Sequence, residues 1–284
     1  MNAISKSKQR LARRLASRRG REREGLALVE GPSVILEALR SAVEVRWVVV
    51  GEEYVGGELG GAIVAGCREC GVEVGFAPDG EVRELCSTEA PRATVACVRR
   101  PPLEPRPLER GRYLMARGVQ MPGNLGTLIR SAWAFGLDGV VVGRGTVDPW
   151  NPKVVRASAG GVFHVPLIGE PDGFGVHASR ADSAGVRRRG DGPGASDGRG
   201  AGTGPNLLCA DASGEPVEIV AAEGPRDWVL VVGNEGGGIS PPLAARARAV
   251  AVPVVRGVDS LNVGVAGSIL MYALVQAGEG GADG

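Results

Sequence analysis

No run in this 284-residue chain approaches the roughly 18–20 consecutive apolar residues that a bilayer-spanning helix needs. The start of the chain also lacks the apolar core of a secretory signal, because Lys and Arg dominate it. Both absences lead to the expectation of a cytoplasmic protein. Cysteine is too sparse for a disulfide framework: Cys67, Cys70, Cys86, Cys97 and Cys209 make an odd five. Cys67-Arg-Glu-Cys70 is a lone CxxC, and the only two histidines, His164 and His177, lie far along the chain, so no metal site is expected. His164 is expected in a strand and His177 in a loop. No early strand leads into a GxGxxG turn. The glycines between Gly51 and Gly61 are loosely spaced and read as a surface loop, which argues against a Rossmann-type cofactor site.

What is present is the composition of an ordinary globular protein, 43% hydrophobic and 23% charged, long enough for two modest domains. The net charge of +1 hides an asymmetry. Met1 to Glu24 carries nine basic residues against two acidic ones. Arg outnumbers Lys there, as suits phosphate contacts, and nucleic acid is the partner that a basic arm over residues 1–24 most readily serves. Arg13, Arg14, Arg18 and Arg19 are its candidate RNA contacts; the alternative is a solvated terminal arm.

The segment 25–98 alternates strands (Leu26–Val29, Val45–Val50, Val72–Phe76, Thr94–Val98) with helices (Ser33, as N-cap, to Arg40; Leu59–Gly71) and reads as a small α/β domain. Residues 99–110 begin with four Pro in nine residues, an extended, semi-rigid linker. From residue 111 to 284, strands at Tyr113–Ala116, Gly139–Val142, Val162–Leu167, Leu207–Ala210, Val229–Val232 and Val250–Val252 alternate with helical pieces, which predicts a mainly parallel sheet. The stretch 172–205 holds ten Gly and scarcely an apolar residue, and is expected to be a disordered insertion.

Two Gly- and Asn-bearing turns follow apolar runs near the C-terminus. One is Trp228-Val-Leu-Val-Val-Gly233-Asn234-Glu235-Gly; the other is Val250-Ala-Val-Pro253 followed by Ser260-Leu261-Asn262-Val263 and an apolar helix. Strands that stop at such turns present main-chain groups to a ligand at the carboxyl edge of an open α/β sheet.

Upstream stands Asn124-Leu-Gly126-Thr-Leu-Ile-Arg130-Ser-Ala-Trp-Ala-Phe-Gly136, on a helix expected from Leu125 to Phe135 whose apolar face excludes Arg130. Between these motifs lies Asp148-Pro-Trp-Asn-Pro-Lys153-Val-Val-Arg156-Ala-Ser158. In this order and spacing, from Tyr113 to Ala277 outside the insertion, they closely resemble the SpoU/TrmH family of RNA ribose 2′-O-methyltransferases. Glu30-Gly-Pro-Ser33 followed by Ala38-Leu39 resembles the substrate-binding domain often fused ahead of it.

The resemblance implies an RNA-binding α/β domain followed by a mainly parallel α/β methyltransferase domain with a trefoil knot. It implies S-adenosylmethionine as methyl donor, with cofactor contacts at Gly233, Val252, Ser260 and Leu261, and a homodimer. Catalytic positions fall on Arg130, Asn124, Glu235 and Asn262, with Arg130 stabilising charge on the 2′-oxygen and an adjacent phosphate. Lys153 and Arg156 are carried over as phosphate-positioning residues. Asn124 also reads as a turn or N-cap, and Ser260 as the cap of the last helix. The chain departs from the pattern at Met121, where the family often has Asp. The fused domain favours ribosomal RNA over tRNA; an RNA-binding or ribosome-assembly protein with a vestigial site is the alternative from another class.

Overall fold

The computed structural model describes residues 4–87, 90–172, 205–234, 238–255 and 260–279. Two sheets organise it. The first unit runs α1 (Lys6–Leu15), α2 (Arg18–Glu24), β1 (Leu26–Glu30), α3 (Pro32–Arg40), β2 (Val45–Gly51), α4 (Glu58–Glu69), β3 (Glu73–Ala77), α5 (Asp79–Glu84) and β4 (Thr94–Arg99). Its sheet has the order β1-β4-β2-β3, antiparallel except for the β2–β3 pair. The second unit runs β5 (Arg112–Ala116), α6 (Pro122–Ala134), β6 (Gly139–Val142), α7 (Pro152–Ala157), β7 (Leu167–Gly169), β8 (Asn206–Pro216), α8 (Val217–Ala222), β9 (Trp228–Val232), α9 (Pro241–Ala244), β10 (Arg248–Ala251) and α10 (Val263–Glu279). Its six strands are all parallel, in the order β10-β8-β9-β5-β6-β7.

Strand alternation sorts the side chains into layers. In β2, Val48 and Val50 join one core while Trp47 and Val49 join another. In β5, Leu114 and Ala116 face one layer and Tyr113 and Met115 the opposite one. The layer holding Leu114 is continuous across the two units: Ala27, Val29 and Ile35 belong to the same buried cluster as Leu125, Ile129, Val154 and Val155. The opposite face of the large sheet is closed by Leu243 of α9 and by Leu108 from the Pro-rich segment.

Several expectations need correction. The basic segment is not a loose arm. Ala12 and Leu15 of α1 are buried against the outer face of the small sheet with Ile4, leaving Arg10, Arg13 and Arg14 of the same helix exposed. Burial of three apolar side chains outweighs the charge pattern in setting this conformation. Ser33 sits inside the first turn of α3, whose N-cap is Gly31. His164 follows a 3₁₀ turn over Gly161–Phe163, and the strand expected at 162–167 begins only at Leu167. Helix α5 was not anticipated, and α6 starts at Pro122, a residue well suited to the first helical turn. Most of the insertion, 173–204, lies outside the described residues, as do 235–237 and 256–259, on which the expected knot turns. No described helix is long and apolar enough to cross a membrane.

A buried ion pair joins the units. Arg21 of α2 reaches Asp148, ahead of α7, at 2.7 Å, with both side chains only 3% exposed. Arg21 Nη1 also donates to the carbonyls of Leu15 and Ala16, and Asp148 accepts from the Trp150 backbone N–H. Removing one partner of a buried pair strands the other charge, at a cost of about 3–5 kcal/mol. Arg21→Ala should therefore lower the unfolding free energy in urea by about that amount, whereas Arg19→Ala, on the exposed side of the same helix, should change it by less than about 0.5 kcal/mol.

Candidate active site

The carboxyl ends of β8, β9 and β10 and the start of α10 enclose a cavity of about 390 Å³. Its walls include Gly233 and Asn234 after β9, Val252 and Val254 after β10, and Ser260, Leu261 and Asn262 before α10. The four positions expected to contact a cofactor, Gly233, Val252, Ser260 and Leu261, thus line one space. Glu235 lies outside the described residues.

Close backbone approach builds the turn after β9. A Cβ on Gly233 would stand 2.6 Å from the Gly238 carbonyl, too near for any side chain. Asn234 and Gly238 exchange two main-chain hydrogen bonds at 3.3 and 2.9 Å, closing the loop. The Asn234 side chain donates to the Gly118 carbonyl at 3.0 Å, tying this turn to the one after β5.

The opposite wall is organised by a pair of amides. Asn262 Nδ2 donates to Asn124 Oδ1 at 3.0 Å, while Asn262 Oδ1 accepts from the N–H groups of Gly264 at 2.9 Å and Val265 at 3.3 Å. Asn262, and not Ser260, is therefore the N-cap of α10. Asn124 is buried inside the first turn of α6, not at its cap, which is Met121. Its role is to join the two helix starts.

Arg130 lies two turns further along α6, on the exposed face with Thr127. It makes no ion pair or hydrogen bond among the described residues, so its charge is uncommitted. Helix α6 is held close to α7 at Gly126, where a Cβ would meet Ala157 Cβ at 2.4 Å. Lys153 and Arg156 project from α7 into solvent. Arg13, Arg14, Arg18 and Arg19 are exposed as well, although Arg14 pairs with Glu24 at 3.1 Å and Arg18 with Glu22 at 2.8 Å. The hydrogen bond from Arg18 holds the Glu22 carboxyl below its ordinary range. These arm residues lie in the first unit, apart from the cavity.

Sequence reading missed one wall of the cavity. The pairing of β8 with β10 jumps from Cys209↔Ala249 to Glu215↔Val250, so residues 210–214 bulge out and bring Ala210, Asp211 and Ala212 to the cavity. Hydrogen bonds from the Ser213 hydroxyl and N–H hold the Asp211 carboxyl below the usual range. Asp-Ala-Ser-Gly is a turn-like sequence within a strand, and that is the signal that could have revealed it. Burial disfavours the thiolate at four cysteines, raising Cys67 and Cys209 to about 11 and Cys86 and Cys97 to about 12. No described cluster of three or more His, Cys, Asp or Glu could hold a metal ion.

Comparison with known proteins matches residues 111–173 and 201–272 to the SpoU rRNA Methylase family, and residues 7–96 to the MRM3-like substrate binding domain. The chain belongs to the SpoU rRNA methylase family. It is 28% identical over 263 residues to the 23S rRNA (guanosine(2553)-2′-O)-methyltransferase RlmP of Bacillus subtilis, covering 92% of this chain and 93% of that one. It is 28% identical to human mitochondrial rRNA methyltransferase 3 over 56% of this chain and 45% of the human protein. Among solved structures, the SpoU methyltransferase AviRb from Streptomyces viridochromogenes, in complex with AdoMet, superposes with a TM-score of 0.73 at 26% identity, covering 96% of this chain and 97% of that one.

Two substitutions separate the cavity from the fold. Gly233→Ala should weaken S-adenosylmethionine binding more than tenfold by calorimetry, because Gly238 must shift to admit the methyl group. Asn262→Ala should weaken binding too and also cost about 1 kcal/mol of stability through the lost cap, read as a lower urea midpoint.

Proposed function

We propose that this protein methylates ribose 2′-hydroxyls of ribosomal RNA, using S-adenosylmethionine. The observation that carries the reading is one cavity lined by Gly233, Val252, Ser260 and Leu261, joined through the Asn262–Asn124 amide pair to the helix that displays Arg130, which has no ion-pair partner among the described residues. The residues fit the cofactor: a cavity of about 390 Å³ lies within the range of small-molecule sites, about 300–1,000 Å³. Its walls are largely main chain and aliphatic, and Asp211 contributes a negative charge of the right sign for a sulfonium. Bound there, the cofactor supplies an electrophilic methyl group.

The remaining work falls to positioning and charge. Arg130 stabilises negative charge developing on the ribose 2′-oxygen and binds an adjacent phosphate. A guanidinium keeps its proton in proteins, so its role is electrostatic. Lys153 and Arg156 contact flanking phosphates, and Arg13, Arg14, Arg18 and Arg19 extend the basic surface in the substrate-binding domain. The family resemblance carries a cofactor-side role for Glu235 and a trefoil knot in the catalytic unit. The similarity to RlmP over nearly the full length of both chains supports ribosomal RNA as the substrate.

The active form is a homodimer. Val265, Ile269 and Tyr272 are exposed on α10 at positions i, i+4 and i+7, an apolar stripe on one face. Combining Ile269→Asp and Tyr272→Asp should convert a dimer to a monomer in sedimentation equilibrium while leaving the helical circular dichroism intact; a wild type that sediments as a monomer would rule out this assembly.

Activity is tested with unmodified ribosomal RNA and methyl-labelled S-adenosylmethionine, the product being mapped as 2′-O-methylribose. Arg130→Lys should reduce turnover by at least about a hundredfold, because a compact ammonium does not reproduce the forked guanidinium, while cofactor affinity stays unchanged. Full activity in that variant would remove Arg130 from the mechanism.

A further inference from the structure

We propose that the exposed indole of Trp133 is a stacking platform for a nucleobase next to the ribose held at Arg130. The inference rests on the reading of this protein as an rRNA methyltransferase and adds a substrate-positioning residue to it.

Trp133 follows Arg130 by three residues on α6, so the two side chains are neighbours on the exposed face of the helix. The chain's other three tryptophans are buried at 6% exposure or less, whereas Trp133 is 37% exposed. Its orientation is held from behind. The His164 ring stacks on the indole with centroids 4.4 Å apart and planes within 5°. His164 Nε2 in turn lies 2.8 Å from Glu37 Oε1, on α3 of the substrate-binding unit. The Glu37 stem is itself fixed: it packs so closely on the turn after α7 that a Cβ on Gly160 would stand 2.6 Å from Glu37 Cγ. Groups from α3 and from the turn after α7 therefore set the plane of one ring, and an aromatic face fixed before binding loses little freedom when a base stacks on it.

The surroundings favour RNA over a second copy of the chain. Phe135, two residues on, packs against Tyr272 of α10 at 5.6 Å. Two residues turn a helix by about 200°, so Trp133 points away from the apolar stripe of α10. Apart from the Glu37 carboxylate behind the His164 ring, exposed cations stand on this helix and the next: Arg130 on the same face, and Lys153 and Arg156 on α7, none with an ion-pair partner among the described residues. A rigid aromatic face flanked by phosphate-binding cations is the arrangement that holds single-stranded RNA, with stacking supplying affinity for an unpaired base.

The test uses the full chain with ribosomal RNA transcripts, a short oligoadenylate, and an abasic oligomer of the same length. Because only Trp133 is exposed, indole emission should be quenched by the transcripts and by oligoadenylate but not by the abasic strand, and Trp133→Phe should lose the quenching. Trp133→Ala should raise KM for the transcripts about tenfold or more, with kcat within about twofold and cofactor affinity unchanged; Trp133→Tyr should restore KM. Wild-type KM in Trp133→Ala, equal quenching by the abasic strand, or dissociation of a dimer by Trp133→Ala would each overturn the platform while leaving methylation of ribosomal RNA intact. A wild type that neither binds nor methylates ribosomal RNA would overturn the functional reading and the platform together.

Discussion

The site depends on one hydrogen bond between two amides, from Asn262 Nδ2 to Asn124 Oδ1. Asn262 uses its other amide atom to cap α10, so a single side chain fixes where that helix begins and how it sits against α6. The wall formed by Ser260 and Leu261 and the face carrying Arg130 are thereby referred to one point. In a partly buried setting such a bond is worth more than its modest net energy, because an unmade partner would remain desolvated. Shortening either side chain would loosen the cavity and the reacting face at once.

Close packing of small residues keeps these elements in place. Gly126 lets α6 approach α7, and Gly233 lets the turn after β9 approach Gly238. Side chains at those points would force the backbone apart by more than a dense interior tolerates. The result is a cavity built mainly from main chain, whose shape follows from sheet geometry. Asp211, on the bulge of β8, is the one acidic side chain in its wall among the described residues.

The substrate-binding unit is not a freely tethered module. Its core is continuous with that of the catalytic unit, and the buried Arg21–Asp148 pair and the His164–Glu37 contact bridge the two. The Pro-rich segment contributes Leu108 to the core of the large sheet instead of acting as a hinge. An RNA held on α1 and α2 would consequently meet the catalytic face at a set angle. Rigidity of this kind turns basic surface into positional information, since phosphate contacts alone carry little.

Much of this was legible in the chain itself. The resemblance of the ordered motifs singled out Gly233, Val252, Ser260, Leu261 and Arg130; alternating β-rich and helical periods, with Gly turns after apolar runs, are local signals, and they located the parallel sheet and the two closing turns. They could not show that Arg13, Arg14, Arg18 and Arg19 sit on helices packed by Ala12 and Leu15, because that packing depends on a sheet face formed by distant strands. They assigned capping to Ser260 and Asn124, whereas the tertiary structure gave it to Asn262 and joined Asn124 to it across 138 positions of sequence. The bulge that brings Asp211 to the cavity, and the stack that presents Trp133, likewise arise only when separate elements meet. Composition and periodicity pointed to the fold class, because both act within a few residues, and the resemblance of the ordered motifs pointed to the family. Which side chains face the cavity and which stand exposed on α6 and α7 was decided by long-range packing, which no local pattern encodes.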